Sequence, residues 1–158
     1  MKKWFFLLVA ALAAAVPAYA AEELDVDAED FEPTALEMRI MEIEQSFFEK
    51  VEDAGRAPGK ILEAARGQRE AYDKLLAQVE AKALEVARRE FSSGAAAALA
   101  QNIGGWKTLT ADLEKRMKDE DPEEGEVGAL VTIAYLAVQR IELLAVLGGE
   151  EVGDHAYE

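Results

Sequence analysis

The residues able to do chemistry in this chain are almost all carboxylates. Asp and Glu number 32 against 17 Lys and Arg, with a single histidine, His155, and no cysteine. Paired carboxylates can serve as acid and base in glycoside hydrolysis. With so many acidic residues, however, the sequence singles out no pair. One histidine in the C-terminal tail leaves most nucleophile dyads and triads without a base. It also excludes the ferritin-like di-metal site, which needs Glu-x-x-His on two helices. No Cys/His zinc pattern is present. Gly104-Gly105 lacks the neighbouring Lys and Ser/Thr of a phosphate-binding loop. Asp25 and Asp27 start like a calcium loop, but the glycine and glutamate that must follow are missing. The expectation is a protein that is not an enzyme and carries no cofactor and no metal.

Two charges stand out by position. The stretch "GALVTIAYLAVQRIELLAVLGG", residues 128–149, contains Arg140 and Glu142. Its uncharged run, Val127 to Val138, is shorter than the roughly 20 residues of a membrane span. A core helix is the better reading. Leu130, Ala134, Ala137, Ile141 and Leu144 would share its inner face. Arg140 falls on the flank, and its neighbours three and four away offer no acceptor. Either its stem covers apolar surface while the guanidinium reaches water, or a carboxylate of another helix pairs with it. Asp112 and Glu70 are the candidate partners, on the third and second helices.

The elements that must position these residues read as four helices. Thr34 and Glu37 form a capping box, and Leu36, Ile40, Ile43, Phe47 and Val51 make one stripe up to Gly55. Met41 and Phe48 would widen it. Pro58 opens a second helix running to about Phe91, with a possible weak point at Gly67. Glu70–Lys74 and Glu85–Arg89 are expected i,i+4 pairs. Ser92 or Ser93 caps a third helix with the stripe Leu99, Ile103, Trp106, Thr110, Leu113 and Met117. Gly104 and Gly105 within it mark a kink, a break or a close approach. Asp121 as N-cap and Pro122 at the first turn would start the fourth helix. Tyr72 and Trp106, each on an apolar stripe, are expected in the core. With no β pattern and short connections, the fold class is all-α, a single-domain antiparallel bundle of about four helices.

The domain plan has four parts. Residues 1–20 read as a secretory signal peptide: Lys2-Lys3, an apolar run and the A-Y-A site at 18–20, with cleavage expected before Ala21. Residues 21–33 form an acidic arm, "AEELDVDAEDFE" holding seven carboxylates and no base, expected to be disordered. The bundle occupies 34–148, and 149–158 form an acidic tail expected to be mobile. The expected address is the bacterial periplasm or the exterior. Loss of Lys2 and Lys3 takes the net charge from −15 to −17. Such a surface repels nucleic acid and anionic lipid and attracts basic proteins. No stable membrane insertion is expected after cleavage.

Four short motifs, "AYDKLL" at 71–76, "AQNIGGW" at 100–106, "EEGE" at 123–126 and "QRIELL" at 139–144, occur in an order that resembles the LprI-like family of small secreted bacterial proteins, some described as lysozyme inhibitors. The resemblance spans about Gln68 to Leu147. It implies a compact helical domain and an inhibitory activity. The family usually has paired cysteines, absent here. Arg69 replaces an expected Asn, "NIGG" lengthens the Gln101-to-Trp106 spacing, and the Arg-Asp after the tryptophan is missing, although Asp112 is near.

Two functional expectations follow. One is an acidic binding protein of the envelope, a lysozyme inhibitor by the resemblance, with partner-binding residues Asp119, Glu120, Asp121, Glu123, Glu124 and Glu126 and with the 22–32 arm as a further contact. The other is a structural or accessory periplasmic protein whose acidity serves solubility alone.

Overall fold

The computed structural model describes residues 33–121 and 124–149. The signal segment, nearly all of the acidic arm, Pro122, Glu123 and the tail with His155 lie outside the described residues. Among the described residues there are four helices and no strand: α1 (Ala35–Ala54), α2 (Pro58–Glu90), α3 (Ser93–Glu120) and α4 (Gly125–Leu147). The all-α bundle expected from periodicity is the observed architecture.

Local sequence explains each boundary. Thr34 Oγ1 accepts from the Glu37 amide at 3.2 Å, and Glu37 Oε2 accepts from the Thr34 amide at 2.7 Å, completing the capping box. Gly55 ends α1 at a φ of 56°, a value side chains other than glycine adopt at a cost. Pro58 occupies the first turn of α2, where its missing N–H is no loss. Ser92, not Ser93, caps α3 by accepting from the Ala95 amide at 3.2 Å. Both α2 and α3 run unbroken through their internal glycines. At Gly104 and Gly105 the space a Cβ would fill is open, so neither marks a close approach or a break.

Helix α4 is assigned from Gly125, and the expected first turn at Pro122 lies outside the described residues. Asp121 Oδ1 accepts from the Glu124 amide at 3.0 Å, and the Asp121 carbonyl accepts from the Gly125 amide at 2.8 Å, so Asp121 closes the turn before the helix. A Cβ on Gly125 would lie 2.0 Å from the Met117 carbonyl oxygen. Only glycine lets the two chain segments approach this closely.

Helices α2 and α4 form the central pair; α1 packs on α2, and α3 packs on both. Leu36, Ile40, Tyr72, Leu75, Val79, Ala137, Ile141 and Leu144 meet in one core cluster. Burying such side chains stabilises by roughly 25 cal/mol per Å² of apolar surface. The expected stripes of α1, α3 and α4 all point inward. Two expectations fail: Met41 and Phe48 do not widen the α1 stripe, being 58% and 40% exposed. A one-sided contact with α2 leaves their side of α1 in solvent.

Candidate functional site

Two clusters of charge have geometry that could matter for function. The first surrounds Arg140. Its Nε and Nη2 donate to Glu80 Oε1, each at 3.5 Å, and its Nη1 donates to Asn102 Oδ1 at 2.9 Å. The guanidinium carbon sits 5.1 Å from the centre of the Trp106 ring, so the cation also meets a π face. Glu80 is only 6% exposed. The expected pairing with a carboxylate of α2 is present, but the partner is Glu80. Glu70 instead binds Lys74 at 2.8 Å, and Asp112 binds Arg116 at 2.8 Å. Glu80 lies between Leu76 and Ala83 on the buried stripe of α2, a lone charge among apolar positions, which is the signal that names it. Trp106 is half-buried, packed against the core and beneath Arg140. Tyr72 is buried in the core at 1% exposure.

The second cluster has the opposite character. Tyr72 Oη donates to Glu44 Oε1 at 3.4 Å. Burial raises the Glu44 carboxyl above its ordinary value, with the Tyr72 hydrogen bond opposing in part. Burial also raises Glu142, and the charges of Glu37 and Glu44 raise it further. Burial, then the charge of Glu44, pushes the Tyr72 hydroxyl well up. Among the described residues no cation hydrogen-bonds or ion-pairs with Glu44 or Glu142.

The expected acidic loop divides on inspection. Asp119 and Glu120 belong to the last turn of α3, and Glu126 belongs to the first turn of α4. Glu126 is not free for a partner: Lys118 Nζ lies 2.9 Å from its Oε2, and Arg66 of α2 binds its Oε1. The Lys118 and Arg66 hydrogen bonds hold its carboxyl below the usual range. Asp121 serves the turn. Asp119, Glu120 and Glu124 are exposed, and Glu123 lies outside the described residues. On α2, Arg89 bonds Glu90 at 2.8 Å, while the expected partner Glu85 acts on it through its charge without an ion-pair contact.

No family model, curated protein or solved structure matches the chain.

Proposed function

We propose that the protein is an acidic binding protein of the cell envelope that takes a basic protein as its partner, and that a lysozyme is a candidate for that partner. The observation carrying this reading is at the α3–α4 junction. Asp119 and Glu120 are exposed in the last turn of α3, where the negative end of the helix dipole disfavours carboxylates. Lys118, the one base in that turn, is drawn to Glu126. Glu124 adds an exposed negative charge beside them. Local stability would favour cations there, so the charges are better explained by what they attract. The net charge of −15 extends the same field over the molecule and would steer a basic partner inward. The resemblance to the LprI-like family points toward lysozyme as that partner. The secretory signal at residues 1–20 would deliver the chain to where such enzymes act.

Binding of a c-type lysozyme, measured by surface plasmon resonance across an ionic-strength series, tests the reading. Association should slow as salt rises. The triple variant Asp119→Asn, Glu120→Gln, Glu124→Gln should slow it further at low salt. A muramidase assay then separates binding from inhibition. Absence of binding to any basic envelope protein, at any salt concentration, would leave the accessory-protein reading in its place.

A further inference from the structure

Helix α4 is apolar on more sides than its packing requires. Its inner face is buried, yet only 39% of its most apolar window is covered. A second stripe runs along one flank at spacings of three and four: Val131, Tyr135, Val138, Glu142 and Val146, of which Val138 leans on the core while Tyr135 and Val146 face solvent. Tyr135 is 56% exposed and Val146 45%, with Leu143 at 58% beside them. A helix apolar all round is normally covered all round, and a contiguous exposed apolar strip marks an interaction surface.

The one charge in that stripe is Glu142, and among the described residues no cation hydrogen-bonds or ion-pairs with it. Helix α1 faces it with Glu37 and Glu44. Helix α2 contributes Tyr72, whose hydroxyl is already given to Glu44. On the other flank of α4, Asn102 and Trp106 of α3 hold Arg140, which also binds Glu80. Arg140 is the only cation in α4. The face therefore presents exposed apolar side chains around Gln139, which bonds Tyr135, with the Glu142 carboxylate among them and carboxylates of α1 at its border.

We infer that the outer stripe of α4, bordered by Glu37 and Glu44 of α1, docks a basic amphipathic helix of a partner protein. Apolar side chains of that helix would cover Tyr135, Leu143 and Val146, and a Lys or Arg between them would reach Glu142. This is helix-in-groove recognition with the charge sign fixed by the receptor. A second copy of the chain fits poorly, since it brings the same negative stripe and its Arg140 is engaged. An incoming cation favours the charged forms of Glu142 and Glu44 and so offsets the effect of their burial. The inference shares with the reading above only the sign of the partner's charge, and it uses the outer face of α4 rather than the α3–α4 turn.

The test uses the full secreted chain and a synthetic helical peptide of about 18 residues, five turns, with Leu at i, i+3, i+4 spacing and Lys elsewhere. A matched peptide carries Glu in place of Lys. The Lys peptide should bind, and the Glu peptide should not. Glu142→Gln should weaken the Lys peptide by about tenfold, through loss of the charge pair. The double variant Tyr135→Ser, Val146→Ser should weaken it by about tenfold through lost apolar contact. Both changes are at positions only partly buried, and circular dichroism confirms that each variant is folded. Affinities within about twofold of wild type for both variants would overturn the proposal, as would equal binding of the two peptides. Sedimentation showing a dimer that Tyr135→Ser, Val146→Ser dissolves would assign the face to a second copy and overturn it. Flotation with phosphatidylcholine vesicles would assign it to lipid and do the same. The triple variant at Asp119, Glu120 and Glu124 should leave the peptide affinity unchanged. Failure of lysozyme to bind while the peptide results hold would sink the earlier reading alone.

Discussion

Glu80 and Glu142 are glutamates on the two central helices, and the fold treats them in opposite ways. Glu80 lies in a seam of three helices and receives Arg140 from α4, which is itself held by Asn102 and Trp106 of α3. Glu142 is half-buried two residues from that arginine, which faces another way, and among the described residues no cation hydrogen-bonds or ion-pairs with it. The first carboxylate fixes how α2, α3 and α4 meet. The second leaves a negative centre on an open apolar face. Charge locked inside specifies packing; charge left unmatched at the surface is available to a partner.

The largest effect should come from breaking the locked side. Arg140→Ala strands Glu80 in the seam and should cost about 3–5 kcal/mol in urea unfolding. Arg140→Met keeps the stem and should recover only part of this. A harmless Arg140→Met would show that the guanidinium contributes little and would erase the contrast. Trp106→Ala removes the π face under the cation together with half-buried packing. We expect a loss of about 2 kcal/mol, below the roughly 3–5 kcal/mol of a fully buried aromatic. On the open side the sign reverses. Glu142→Leu removes an uncompensated carboxylate and should stabilise the fold by about 0.5–1 kcal/mol in the same melts.

Acidity sharpens the comparison further. The carboxyls of Glu44 and Glu142 are raised in the folded protein. Groups of this kind contribute stability that is present below the unfolded value near 4.5 and lost as pH rises through the folded value. Glu126, held down by Lys118 and Arg66, works the other way and weakens as pH falls through its own lowered value. Thermal melts at fixed ionic strength should therefore show stability falling as pH rises from about 4.5 toward neutrality, and the double variant Glu44→Gln, Glu142→Gln should flatten the fall.

Helix number, the boundaries of the first three helices and the inner faces were legible because they are local. The capping box at Thr34 and Glu37, Pro58 in a first turn, and the stripe from Leu99 to Met117 need only spacings of three and four. What was illegible depends on how far one helix slides along another. Glu70 and Glu80 both lie on α2, but ten residues put them about 15 Å apart along its axis, and periodicity carries no information about that offset. The glycines divide the same way. Gly104 and Gly105 looked meaningful and face open space, whereas Gly125 is held against the Met117 carbonyl by a turn the spacing did not reveal. The acidic residues at 119–126 were visible as a run, but the capture of Glu126 by Arg66 of α2 depends on tertiary approach.

The contrast between locked and unmatched charge is tested most directly by the titration of individual carboxyls, followed by carbon-detected NMR on the selectively labelled chain. We expect Glu142 and Glu44 to titrate above 4.5, and both to move down when the Lys-rich helical peptide is added. Titration of both at or below 4.5 in the free protein, unmoved by the peptide, would contradict the claim that this face carries unmatched charge.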